Sequence, residues 1–287
     1  MAGSYPFASQ LEINDVRYDY HGCALGSRNE YRDTNGLRGT RSHAIERNIP
    51  SVIRVDGNIN FIPTALELTT LLPIMNGAAA AGTTYPLGET ITPYAIVVDR
   101  VLKVHTYAAN YLNTARFSGS QGDYLQLDTS WVGTTETEGS AGTFASTALD
   151  IVSRPWAFHE AVVTIAGSTF KVRDIEWTID NHIDADRIFN SQTIATTAAM
   201  DRTIEVAFTL PYGDSGAVYT THSAYTGVQV VATFTNGVYI MTVTFVKVAF
   251  IKVSPEVRGK NEIMLVARGQ AFKSGATESV VTVLAIS

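Results

Sequence analysis

The chain has 287 residues, of which 45% are hydrophobic and 17% charged, with 22 Gly and 9 Pro. That is the composition of a globular chain holding one large or two ordinary domains, and it excludes the disordered and collagen-like classes. Its 21 basic and 27 acidic residues give a formal net charge of −6, which argues against nucleic-acid binding of the ordinary kind, through Lys and Arg on phosphates.

The single Cys23 excludes an intramolecular disulfide, a CxxC redox pair and a zinc knuckle. The first residues, MAGSYPFASQLEINDV, lack the basic start and apolar core of a signal peptide, and no stretch nears the roughly 18 apolar residues of a membrane span. A soluble protein made in a cytoplasm is expected.

In chain order, Ile53, Val55, Ile59 and Phe61 alternate with period two and predict a strand with one wet face, which carries Arg54, Asp56, Asn58 and Asn60. PTALELTTLLP predicts a helix: Thr64 and Glu67 have capping-box spacing, Ala65, Leu68 and Leu72 share a face, Pro73 is the expected stop and Gly77 lies just beyond. Residues 78–91, AAAAGTTYPLGETI, read as a loop. Ile175, Trp177 and Ile179 predict a second alternating strand, and Ile204, Val206, Phe208 and Leu210 a third, with Thr203, Glu205 and Thr209 on its polar face. A helix is expected over Ser215–Tyr225, ending before Gly227. VQVVATF and VYIMTVTFVKV flank Asn236-Gly237, the dipeptide that suits a two-residue type I′ hairpin. The second arm, Val238 to Val253, exceeds the common strand length of about 5 to 6 residues, so it is expected to project past its own sheet or to carry a bulge. Val238, Ile240, Thr242, Thr244, Val246 and Val248 along it are candidate contacts with a neighbouring subunit.

These elements recur. Ile13 matches Ile165 at an offset of 152, Ile53, Val55 and Thr64 match Ile204, Val206 and Ser215 at 151, and Gly77 matches Gly227 at 150. Downstream the offset falls to about 139, pairing Tyr124 and Leu125 with Ile263 and Met264, and the 78–91 loop accounts for the drop. Two tandem copies of one β-rich domain are expected, 1–152 with an N-terminal arm and the 78–91 insertion, then 153–287. The first holds 10 basic and 15 acidic residues, the second 11 and 12.

The sharpest enzymatic string is Gly213-Asp214-Ser215-Gly216, which matches the surroundings of the nucleophile in chymotrypsin-like proteases. A triad also needs a His held by an Asp, and His43, His105 and His159 lack the family's small-Ala-His-Cys context. Ser215 falls where Thr64 caps the first helix, so Thr64, Asp214 and Ser215 are read as helix caps. The six histidines show no HxH or HxxxH pair. Asp180, Asp184 and Asp186 lie close together without the EF-hand pattern, and a charged turn accounts for them. Trp131, Trp156 and Trp177 are candidates either for a sugar-stacking face or for core packing. No P-loop or dinucleotide motif is present. No catalytic residue, metal or cofactor is expected.

IRVDGNINFIPTALELTTLLPIMNG, TFKVRDIEWTIDNHIDADRIFNSQTI and VRGKNEIMLVARGQAF, in this order, resemble the tail tube proteins, or major tail proteins, of long-tailed bacteriophages. The resemblance covers most of residues 10–287. It implies a mainly β fold of two tandem β-sandwich or barrel tube domains, each with a short flanking helix, related to the type VI secretion tube subunit and assembling into a ring with a continuous inner β-barrel. It also implies stacking into a virion tail tube around a tape-measure protein, with tail terminator or distal tail proteins at the ends. Assembly would take place in the host cytoplasm, with no membrane, and double-stranded DNA would pass without specific binding. A duplicated member implies three chains per ring, against the alternative of six with the second copy outside the tube. The polar strand faces, Arg54, Asp56, Asn58, Asn60, Thr203, Glu205 and Thr209, are then expected to line the lumen. Readings outside this family are a surface or carbohydrate-binding β-sandwich and a serine protease.

Overall fold

The computed structural model describes residues 8–33, 45, 48–140, 149–186, 188, 190–194, 199–214, 216–223, 226–257 and 262–286. The fold is mainly β. Its first half holds β1 (Gln10–Ile13), β2 (Val16–Tyr18), β3 (Gly22–Cys23), β4 (Gly26–Asp33), β5 (Asn48–Phe61), α1 (Ala65–Asn76), β6 (Thr84–Tyr85), β7 (Tyr94–Asp99), β8 (Lys103–Ser120), β9 (Gln126–Gly133) and β10 (Thr135–Ser140). Its second half holds β11 (Ala161–Ile165), β12 (Ser168–Phe170), β13 (Asp174–Asp180), β14 (Thr203–Pro211), α2 (Gly216–Ser223), β15 (Val228–Thr235), β16 (Tyr239–Glu256), β17 (Met264–Phe272) and β18 (Val280–Ile286).

Strand pairing builds one long antiparallel sheet in the order β4-β5-β9-β8-β13-β14-β17-β16. A second layer runs β2-β1-β7-β8-β10 in the first half and β12-β11-β15-β16-β18-β6 in the second. The 18-residue strands β8 and β16 belong to both layers. Their leading halves lie in the second layer and their trailing halves in the long sheet. Each changes layer through register shifts, at Leu112/Thr114 against β9 and at Phe250/Lys252 against β17. An extra residue bends a strand and sharpens its twist, so length and bulge occur together, as the long arm led one to expect.

One cluster of buried apolar side chains fills the space between the layers and runs through both halves. Phe117 of β8 stacks on Trp177 of β13 at 4.6 Å between ring centroids, so the core is continuous where the halves meet. Trp131, Trp156 and Trp177 are at most 2% exposed. They are core residues, and the sugar-stacking alternative is withdrawn for lack of any exposed ring face.

Helix α1 starts as its capping box dictates: Thr64 Oγ1 accepts the Glu67 N–H at 3.3 Å and Glu67 Oε2 accepts the Thr64 N–H at 2.8 Å. Pro73 does not stop it. The helix runs on to Asn76 with Pro73 inside its last turn, and it ends at Gly77 (φ 71°), whose N–H returns to the Pro73 carbonyl. Proline removes a single intrahelical bond there, and Gly77 is required because a Cβ would lie 2.4 Å from the Thr90 carbonyl oxygen. Helix α2 (Gly216–Ser223) lies within the expected span, whose residues 215, 224 and 225 are outside the described residues.

The hairpin between β15 and β16 is correct in its arms and displaced by one residue at its tip. Asn236 N–H donates to the Tyr239 carbonyl at 3.1 Å, so the two loop residues are Gly237 and Val238. Positive φ occurs only at Gly237 (86°) of these, which is the II′ pattern and not I′. The displacement follows from Asn236: its Oδ1 accepts the Tyr239 N–H at 2.8 Å and the Val238 N–H at 3.3 Å. Arg154 meanwhile holds its carbonyl at 2.9 Å and accepts from its Nδ2 at 2.8 Å. The 78–91 loop is also more than a connection, since β6 within it pairs with β18 of the second half.

Candidate functional site

Alternation along the long sheet sends Val55, Ile59, Ile175, Trp177, Ile204, Val206 and Phe208 into the core and leaves a polar opposite face. Arg54, Asp56, Asn58, Asn60, Thr203, Glu205 and Thr209 all lie on that face. Across the strands Asn58 stands opposite Ser130, Asn60 bonds Asp128, and Glu205 sits between Thr178 and Gln270. Among the described residues of the eight strands, the face carries eight carboxylates, Glu30, Asp56, Asp128, Asp174, Glu176, Asp180, Glu205 and Glu256, against seven cations, Arg28, Arg32, Arg54, Arg116, Lys247, Lys252 and Arg268. Several pair locally: Arg28 with Asp56 at 3.5 Å, Arg116 with Glu176 at 2.7 Å, and Arg54 with Glu30 at 2.9 Å and Asp186 at 2.6 Å. Arg54 is only partly open, because the segment after β13 folds over it and supplies Ala185 O as well.

The chain's halves join edge to edge through this sheet. Thr114–Ser120 of β8 lie opposite Asp180–Asp174 of β13 in an unbroken antiparallel register. Among the described residues the sheet ends at two edges, β4 on one side and the trailing half of β16 on the other. Just ahead of β4, Ala24 N–H donates to Asn58 O, so alternation points Leu25 and, within β4, Ser27 outward. In β17, Ile263 O accepts the Tyr212 N–H. Even-numbered residues of β17 therefore bond β16, and the backbone groups of Val253 and Pro255 point away from the sheet. A proline inside a strand is tolerated on an outer edge, where its missing N–H breaks no ladder bond.

The outward groups of β4 are met by side chains of its own half. Leu25 O accepts from Tyr107 Oη at 3.0 Å and Arg100 Nη2 at 2.6 Å. Ser27 N–H donates to Glu136 Oε2 at 3.0 Å, and Glu136 Oε1 lies 2.8 Å from His105 Nδ1. Burial opposes ionisation of Glu136, but its bonds from Ser27, His105 and Tyr107 outweigh that and hold its pKa below the ordinary carboxylate value.

The predicted contact arm is differently disposed. Ile240, Thr242 and Thr244 are flanked by β15 on one edge and β18 on the other, Val246 N–H bonds Ser279 O, Val248 is fully buried, and Val238 sits at the hairpin tip. The open edge begins several residues later. Sequence reasoning passed over Pro255, although proline within an apolar alternation is the signal that marks such an edge. It also passed over Glu136, whose role depends on a strand distant in sequence.

For the catalytic readings, Asp214 ends a 3-10 turn before α2, while Ser215 and His43 lie outside the described residues. Thr64 is the cap it was read to be. No group of three His, Cys, Asp or Glu with metal-binding proximity occurs among the described residues, and no helix among them is long and apolar enough to cross a membrane.

No curated protein matches the chain. The family model described as phage tail tube protein matches residues 3–275, and with nearly its whole length covered the chain belongs to that structural family.

Proposed function

We propose that three chains, each contributing two tandem tube domains, 1–152 and 153–287, close into a ring whose long sheets join as one β-barrel. Such rings would stack into the hollow virion tail tube that delivers DNA to the host. The observation that carries this reading is the β8–β13 junction inside the chain, because the two outer edges are the counterparts of its two sides. The pairings of the halves correspond: β5 lies between β4 and β9 as β14 lies between β13 and β17, and β8 pairs with β7, β9 and β10 as β16 pairs with β15, β17 and β18. The hairpin before each long strand has a left-handed residue first in its tip, Val101 (φ 73°) and Gly237 (φ 86°).

Matching the layer-changing bulges relates β8 to β16 by 138 residues, Leu112 to Phe250. Matching the strands on either side relates β13 to β4 by 152, Trp177 to Leu25. A copy of the inner junction between chains then sets Leu25 opposite Pro255, Ser27 opposite Val253 and Arg28 opposite Lys252. The first pair supports the register: Pro255 has no N–H to give, and Leu25 O already takes its hydrogen bonds from Tyr107 and Arg100.

Eight strands from each of three chains, about 4.8 Å apart, give a circumference of about 115 Å and a diameter of about 37 Å before tilt widens it. A duplex passes with water around it. Closure removes the open edges that otherwise invite aggregation. The carboxylates of the lumen face offset its cations, so phosphates meet no net positive field and DNA slides without being held. Arg54, Asp56, Asn58, Asn60, Thr203, Glu205 and Thr209 line the bore in this arrangement. A tape-measure protein occupies it before DNA does, and tail terminator or distal tail proteins meet its ends. The role is structural, without catalysis or cofactor, and belongs to the virion tail assembled in the host cytoplasm.

Cysteines at Gly26 and Ser254 test it. A Cβ at Gly26 meets nothing within 4 Å. The two residues form a non-hydrogen-bonded pair in the proposed register, with Cα atoms about 4.5 Å apart and within disulfide reach. Oxidised rings should resolve as covalent trimers, with a native mass of three chains. Six chains per ring would overturn the trimer, and rings without the cross-link would overturn the register.

A further inference from the structure

We propose that Glu136 is a removable cap on the β4 edge, which holds back pairing with a second copy of this chain until that strand displaces it. The inference rests on the ring reading above and adds its regulation.

Ser27 N–H faces outward from the sheet, and in the free chain its acceptor is the Glu136 carboxylate at 3.0 Å. A neighbour's Val253 carbonyl, opposite Ser27 in the proposed register, needs the same donor. One N–H serves both acceptors poorly, so the carboxylate and the incoming strand compete. Capping an edge with an inward charge is a recognised way to keep strands from pairing prematurely.

The two halves of the chain supply a comparison. The counterparts of His105, Tyr107 and Glu136, carried over by the same pairings, are Val243, Phe245 and Val280, each at most 1% exposed. There β13 is paired by β8, and Phe245 packs against Trp177 at 6.3 Å. The polar trio thus occurs under the strand whose edge is open, and an apolar trio under the strand whose edge is filled. His105 holds Glu136 from the far side at 2.8 Å, and Lys103 with Glu138, paired at 2.7 Å, is the next charged couple along β8 and β10. Arg100 is occupied with Leu25 O and Tyr107.

Glu136→Val restores the apolar residue of the other half and leaves Ser27 N–H free. The variant should form rings at about tenfold lower chain concentration than the wild type, the size expected from losing one charge-assisted competitor. Glu136→Gln, which keeps an acceptor for Ser27, should lie between the two. Equal or weaker assembly by a folded Glu136→Val chain overturns the cap. Should Glu136→Val fail to fold, hydrogen exchange on the free wild-type chain decides: a protected Ser27 amide that becomes faster in Glu136→Gln supports the cap, and an unprotected one overturns it. The Gly26–Ser254 cross-link separates the layers of the argument. If it forms while Glu136→Val leaves assembly unchanged, the cap alone is wrong; if it does not form, the register is wrong.

Discussion

Val253→Pro separates the strength of the ring from the strength of the chain. The Val253 N–H points to the outer edge of β16, so proline there removes no ladder bond within the chain, as Pro255 two residues later already demonstrates. In the proposed ring it removes the donor that meets Ser27 O of the next chain, and its ring crowds that strand. A net backbone hydrogen bond contributes about 1 kcal/mol. A closed ring of three repeats the contact three times, so the ring as a whole loses about 3 kcal/mol, a factor of about 150 in its equilibrium constant before any steric penalty. Ser254→Pro is the control: its N–H faces β17, opposite Val266, and its loss costs the chain itself about 1 to 3 kcal/mol. Analytical ultracentrifugation against concentration, with thermal unfolding of the dilute chain, measures both quantities. Val253→Pro should keep its midpoint and lose its rings, and Ser254→Pro should lower the midpoint. Normal ring formation by Val253→Pro would refute the placement of the open edge.

Three further outcomes are expected. Val101 holds φ 73° where the matching hairpin has Gly237, and relief of about 1 to 2 kcal/mol of left-handed strain exceeds the added unfolded-chain entropy of glycine, so Val101→Gly should raise stability by about 0.5 to 1 kcal/mol in denaturant titration; a loss would show that the tip is unstrained. Glu205→Lys, on a face residue with no ion pair to disrupt among the described residues, should leave tubes intact and slow DNA ejection at low salt, with recovery as salt rises; salt-independent ejection would remove Glu205 from the bore. Asp150 is opposed by burial, but bonds from Ser153, Val152 and Thr64 prevail and hold its pKa below the ordinary carboxylate value. Its stabilisation is therefore complete above that ordinary value and is lost as pH falls through the lower folded one, so Asp150→Asn should flatten the acid limb of a stability-against-pH curve, while an unchanged limb would assign acid sensitivity elsewhere.

Period-two alternation was enough to divide Arg54, Asp56, Asn58 and Asn60 from Val55, Ile59 and Phe61, because which side of a strand a residue faces depends on its neighbours alone. The Thr64–Glu67 capping box was legible for the same reason, being closed within four residues. Pairing is another matter. Pro255 marks an outer edge locally, but that the first half of Tyr239–Glu256 is enclosed by β15 and β18, while no described strand takes the outer edge of its last residues, is settled by which strands, up to scores of residues away, pair there. Asn236-Gly237 read as a type I′ tip, yet Arg154, 82 residues distant, holds the Asn236 peptide and moves the tip onward by one residue. Pro73 read as a stop, yet the helix continues because a last-turn proline forfeits only one bond and Gly77 still caps the end against Thr90. Glu136 carried no signal at all: a carboxylate two residues into a polar strand becomes an edge cap only when long-range pairing brings Ser27 within 3.0 Å of it.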